Sequence, residues 1–267
     1  MSQTPLSLQR LSIPHEVLTS IEGILSAIEE EVAEDFWILF DIDDTLITLR
    51  EPDLIFQTKE GLRYFHQWFS RFSFVKREKI LAKLFPYWDY QLIEEESVQV
   101  IEQIQERGHV VLACTAMSGY EVGGVHLGKW RIDQLQEVGL CFGKRLSSHY
   151  SSSFSVPHSP YSLFFQEGIF FNGWDIPKGP CLEKFFSQLD HLPQKIFFID
   201  DKLSQLESVY HSFPDRSRLF LYRGGEREER EERGNLSHFS RQLAYFEQNG
   251  RWVHDWELIQ EREGVPD

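Results

Sequence analysis

Five apolar residues, Phe36-Trp37-Ile38-Leu39-Phe40, run straight into Asp41, Ile42, Asp43, Asp44 and Thr45. An uninterrupted run of this kind reads as a strand buried on both faces, as in parallel sheets covered by helices, and the carboxyl ends of such strands carry the chemistry. The acidic tip is then a loop, because Asp44-Thr45 permits a turn. Crowding Asp41, Asp43 and Asp44 together is electrostatically costly unless a cation neutralises them or one keeps its proton. The tip therefore predicts a divalent metal.

At 267 residues the chain can bury a full core and still carry a smaller insertion. Its 42 acidic against 27 basic residues give a formal charge of −15. That balance disfavours a sequence-independent grip on nucleic acid, which needs clustered Lys and Arg. A small phosphorylated substrate stays open, since a bound metal inverts the local field. Cys114, Cys141 and Cys181 have no metal-binding spacing, and their odd number predicts reduced thiols. No window approaches a membrane span, and the start of the chain lacks a basic segment followed by an apolar one. Cytoplasmic residence is expected; export by a specialised system would leave no legible mark. Protein partners are not legible.

Apolar positions at helical spacing predict a helix over about 14–34, ahead of the first strand. From Leu46 to about Val100 aromatic residues alternate with charged ones and no strand is evident, so this stretch reads as a helical insertion. A helix from Glu94 to Arg107 stops at Gly108 and leads into a second buried strand, Val110 to Cys114. A helical stretch Lys129 to Val138 follows a glycine-rich turn, and residues 144–165 read as an irregular or hairpin excursion. A short strand at Ile169, a helix Gly179 to Leu189, and strands Ile196 to Ile199 and Arg218 to Tyr222 complete the pattern. Strands alternating with helices give an α/β fold, a Rossmann-like parallel sheet flanked by helices. The expected division is a core of residues 1–45 and 101–267 with a small helical cap at 46–100. Asp41, Thr115 and Asp200 then lie at strand ends on one rim.

FDIDDTL at 40–46, Thr115 in VVLACTAMS, Lys178 in IPKGP and Asp200-Asp201 in FFIDDK together resemble the haloacid dehalogenase superfamily, in order and in spacing. Within it, the preceding F-NG element and the KG opening a helix look most like an uncharacterised bacterial group, the DUF2608 family. The resemblance implies an HAD-like fold and a magnesium-dependent phosphatase of small phosphorylated metabolites. By the same resemblance Asp41 is nucleophile and metal ligand, and Asp43 is the proton carrier and lends its backbone carbonyl to the metal. Thr115 and Lys178 would hold the phosphoryl group; Asp200 and Asp201 would complete the Mg2+ site. Related sequences commonly carry arginine where this chain has Met117, so one phosphate contact is expected to be missing.

Each element also has a plainer reading. Acidic strand tips serve as turns and caps. Strand-ending threonines and surface lysines are ordinary, and only their common register gives Thr115 and Lys178 weight. The aromatic series Phe56 to Tyr90 reads first as the insertion's own core, Cys114 as an apolar filler, and the histidines as non-ligands. Glu226 to Arg233, EREEREER, reads as a solvated face. The rival reading is a binding or effector protein on the same scaffold, with a phosphotransferase or nucleic-acid end phosphatase as a third.

Overall fold

The computed structural model describes residues 13–33, 35–50, 59–146, 152–155, 162–173, 176–189, 192–225, 236–254 and 257. The EREEREER run, Phe56, and His149, His158 and His191 lie outside them. The apolar runs form the centre of an eight-stranded sheet. In chain order the strands of that sheet are β1 (Glu16–Leu18) and β2 (Phe36–Asp41), then β5 (Val110–Thr115), β8 (Ser152–Ser155), β9 (Ser162–Gln166) and β10 (Ile169–Phe171), and finally β11 (Lys195–Asp200) and β12 (Ser217–Tyr222). Their spatial order is β1-β12-β11-β2-β5-β10-β9-β8. All pairings from β1 to β10 are parallel, and β9 and β8 add an antiparallel edge. The architecture is a mixed α/β, Rossmann-like fold.

Strand periodicity explains why the central strands read as unbroken apolar runs. Phe36, Ile38 and Phe40 of β2 pack in one core cluster, with helices α1 (Gly23–Glu29), α4 (Ser97–Glu106) and α5 (Leu127–Glu137). Trp37 and Leu39 point the other way, onto helices α6 (Lys178–Phe186) and α7 (Leu203–Ser212). Both faces are covered, so no position can be polar until the strand ends. From β2 the chain moves outward to β5 and β10, then crosses back to β11 and β12. The crevice beyond the carboxyl end of β2 is thus the point where strand order reverses, the place where such sheets bind ligands.

Two expectations are corrected. The 14–34 segment is not one helix: residues 16–18 form edge strand β1, paired with β12, and helix begins only at Gly23. The break is held by Glu94, whose carboxylate accepts from the Ile21 amide at 3.0 Å and the Ser20 hydroxyl at 2.7 Å. The insertion also contains strand. Between β2 and β5, β3 (Ile47–Leu49) and β4 (Tyr90–Leu92) form an antiparallel pair at its neck, too short to show an alternating pattern. Between them lie α2 (Lys59–Ser70), α3 (Phe74–Leu84) and a 3-10 turn at Phe85–Tyr87. The two-residue strands β6 (Glu121–Val122) and β7 (Val125–His126) form a small hairpin ahead of α5. Helix α8 (Leu236–Asn249) packs on the insertion: Glu247 accepts from the Trp68 indole at 2.8 Å, and the rings of Trp68 and Phe246 meet edge to face.

Candidate active site

Asp41 is the last residue of β2 and Asp200 the last of β11, on neighbouring strands registered Phe40 to Ile199. Each is in phase with the residues that face α6 and α7, so both carboxylates leave the sheet on that side. Lys178 opens α6 and reaches them: its ammonium contacts Asp41 Oδ1 and lies 2.6 Å from Asp200 Oδ2. The three side chains are almost wholly buried. Gly179 makes this approach possible, because a Cβ there would sit 2.1 Å from the Ser208 carbonyl oxygen on α7. The Gln205 side chain also accepts from the Lys178 amide at 3.1 Å. Thr45 donates to Asp41 Oδ2 at 3.4 Å, and the Lys202 amide donates to Asp200 Oδ1 at 2.8 Å.

Electrostatics show how crowded the acids are. Burial pushes Asp200 up to about 6, with Asp41 adding to the push and Lys178 opposing it. Asp201 is pushed up to about 8, again by burial first, with Lys202 opposing. Burial pulls the Lys178 ammonium down, but Asp200 and Asp41 more than offset this, and it ends above its ordinary range. One ammonium does not satisfy the group: Asp201 Oδ1 is enclosed and accepts no hydrogen bond among the described residues, although Lys202 Nζ is 3.5 Å away. One carboxylate oxygen from each of Asp41, Asp200 and Asp201 lies within 4.8 Å of the others. An all-oxygen, partly enclosed donor set with a carboxylate oxygen that accepts no hydrogen bond among the described residues fits a hard divalent cation such as Mg2+.

Asp43 and Thr115 form the other half of the site. Had β2 continued, Asp43 would share the face of Asp41. Instead the chain turns, with Asp44 at a φ of 64°, and the Asp43 carboxylate swings to the opposite side. There Thr115, at the tip of β5 and out of phase with Cys114, donates to Asp43 Oδ2 at 3.2 Å. Asp43 Oδ1 accepts from Arg131 Nη2 at 2.8 Å. The Asp43 side chain therefore stands apart from the acid cluster of Asp41, Asp200 and Asp201.

Arg131 is the residue of the candidate site that motif reading missed. It sits on α5, 1% exposed, with its guanidinium 4.7 Å from the Tyr90 ring centroid and 5.1 Å from that of Trp130. Burial works against its charge, and Asp43 then Tyr90 more than offset that, leaving it raised. The signal was a cation among the core positions Leu127, Ile132 and Leu135, where an unpaired arginine is rarely found. Met117, in the loop after β5, is buried and donates its amide to Thr115 Oγ1 at 3.2 Å. A guanidinium does enter this part of the site, from α5 rather than from that loop. Elsewhere Cys114 is buried and its thiol lies 3.7 Å from Asn172 Oδ1, while His109 stacks on Phe36 and His126 caps α5.

A cavity of about 650 Å³ opens from Asp41, Lys178 and Asp200 toward the inserted helices. Behind its wall, Glu78 of α3 is buried where the insertion meets the loop after β5. Burial pushes its carboxyl up to about 6 from an ordinary 4.5. The folded chain thus holds this proton more tightly than the unfolded one. The stability it confers is complete below 4.5 and lost as pH rises through about 6. Glu78→Gln should therefore stabilise the fold at pH 8 by on the order of 1 kcal/mol, roughly 2–4 °C in Tm for a chain of this size, and by less as pH falls toward 5. Thermal melts at the two pH values check this, and an equal gain at both would refute it.

A family model described as "Protein of unknown function (DUF2608)" matches residues 17–249. A protein of Chlamydia trachomatis serovar D, named "Putative outer membrane protein", is 26% identical over 183 residues, which cover 63% of this chain and 60% of that protein. The chain thus spans less than two thirds of the length of that relative. No solved structure matches. Among the described residues, no helix is long and apolar enough to cross a membrane. The family match runs from β1 to the end of α8 and takes in every strand and helix that builds the site, so the chain belongs to the DUF2608 family.

Proposed function

We propose that the chain is a magnesium-dependent phosphohydrolase of the haloacid dehalogenase type, acting on a small phosphorylated metabolite through an aspartyl-phosphate. One observation carries the reading: Lys178 contacts both Asp41 and Asp200 at the point where strand order reverses, beneath a cavity of about 650 Å³. A nucleophilic carboxylate, a fixed buried ammonium and an acid cluster suited to a cation are what phosphoryl transfer needs, because its catalysis is mostly positioning and charge stabilisation.

In this reading an oxygen of Asp41 attacks phosphorus, the ester oxygen leaves, and water later cleaves the acyl phosphate. Asp43 gives the leaving oxygen its proton and then takes one from that water. Arg131 and Thr115 hold the Asp43 carboxylate in place between these two steps. Lys178 keeps its positive charge throughout, since two carboxylates face it. Asp41, Asp200 and Asp201, with the Asp43 carbonyl, would hold Mg2+, which would supply the charge that lets an anionic ester approach an anionic nucleophile.

Beryllium fluoride with magnesium tests the site without a known substrate, since it mimics the phosphorylated aspartate. At a hundredfold excess over Kd, binding should stabilise the fold by ~2.7 kcal/mol, roughly 5–10 °C in Tm. A protein that uses the scaffold only as a binding surface would show no shift, and that result would remove the phosphoryl-transfer reading.

A further inference from the structure

The cavity has two chemically different ends. Its floor holds Asp41, Lys178 and Asp200, and its roof is the cap: Leu62, Phe65, Phe69, Leu81, Phe85 and Trp88. Phe65 and Phe69 stack with centroids 5.5 Å apart, and the Trp88 ring stands edge-on to Phe65 at 6.4 Å. The cap also brings Thr48, His66, Ser70 and Arg77 to this wall, and the Ser70 hydroxyl already donates to the Gln67 carbonyl at 2.9 Å. Arg77 donates to the Phe72 carbonyl at 3.0 Å and the Ser70 carbonyl at 3.2 Å, with its guanidinium against the Phe69 ring. Burial, then Lys202, lowers the pKa of His66, favouring its uncharged form. Below the cap, Met117 adds another apolar surface.

A sugar bound here would lose water from several hydroxyls, each costing ~1–3 kcal/mol when left unpaired. An aromatic group would instead exchange water for ring faces and edges, which is favourable by area alone and again by ring geometry. The volume lies within the roughly 300–1,000 Å³ range of small-molecule pockets, leaving room for a fused ring beyond the phosphoryl group. Resting on the phosphohydrolase reading above, we infer that the substrate is the phosphate monoester of an apolar, aromatic alcohol rather than of a sugar or a nucleoside.

Phenyl phosphates are a poor test, because their leaving groups make them reactive with any phosphatase. A fair comparison uses 2-naphthylmethyl phosphate, glucose 6-phosphate and adenosine 5′-monophosphate, all esters of primary alcohols, with acetyl phosphate as a reporter too small to reach the cap. The expected result is kcat/KM for the naphthylmethyl ester about 100-fold above the other two, near the discrimination an apolar pocket achieves against an added hydroxyl. Leu62→Gln, at a half-buried wall position, should raise KM for that ester about tenfold and change KM for acetyl phosphate by less, because acetyl phosphate is too small to reach the cap. Equal or better use of glucose 6-phosphate or adenosine 5′-monophosphate would overturn the aromatic assignment and leave the phosphohydrolase standing. No magnesium-dependent hydrolysis of any of the four would overturn both.

Discussion

Asp41→Asn is expected to reduce magnesium-dependent phosphate release at least ~10⁴-fold while leaving the chain folded, an effect of the size seen when a covalent nucleophile is removed. The amide has the shape of the carboxylate: its oxygen can still accept from Lys178, and its NH2, in the place of Oδ2, can donate to the Thr45 hydroxyl instead of accepting from it. The charge balance changes more than the contacts. Asp41 and Asp200 oppose one buried ammonium, and both are almost fully enclosed. Removing one negative charge leaves Lys178 and Asp200 as a balanced pair, so the metal-free protein should be as stable as the parent or more so. The stabilisation gained from added magnesium should fall, because one of the three carboxylates proposed to hold it has gone. Retained hydrolysis would remove Asp41 as nucleophile, and a collapse of Tm without magnesium would show that its part is structural.

The residues that sequence reading placed at the site come together at the same rim, for a physical reason. A strand buried on both faces cannot carry a charge until it ends, so the first acid after an apolar run marks the rim. That logic found Asp41 on β2 and Asp200 on β11. Lys178 was legible because Pro177 and Gly179-Pro180 mark a helix start, and helix α6 does begin at Lys178. Arg131 carries only the weaker mark of a cation at the core positions of a helix, because its partner Asp43 lies 88 residues away and only folding brings them together. Strands β1, β3 and β4 were invisible for another reason: three residues are too few to show a period of two. The packing of α8 against the insertion was equally hidden, resting on contacts such as Trp68 with Glu247, 179 residues apart.

The ion pair between Asp43 and Arg131 gives the second large expected effect, because its members are unequally buried. The Arg131 side chain is 2% exposed and that of Asp43 is 41% exposed. Breaking a buried pair is costly mainly for the charge left behind. Asp43→Ala leaves a buried guanidinium with Gln134, at 3.3 Å, and two aromatic faces as its remaining support. It should destabilise the fold by roughly 2–3 kcal/mol, below the 3–5 kcal/mol of a fully enclosed pair because water reaches the Asp43 side. Arg131→Met removes the buried charge itself and leaves a carboxylate that water can solvate, so its stability change should stay under ~1.5 kcal/mol. Activity should also respond to the second change: with Arg131 gone, Asp43 keeps, among the described residues, only the Thr115 hydroxyl to orient it, and kcat should fall ~100-fold. A positioning role also predicts that the pH profile of kcat moves in Arg131→Met and is partly restored in Arg131→Lys, neither of which follows from a packing defect. If Arg131→Met proves the more destabilising variant and the pH profile stays put, the guanidinium serves the core and not Asp43.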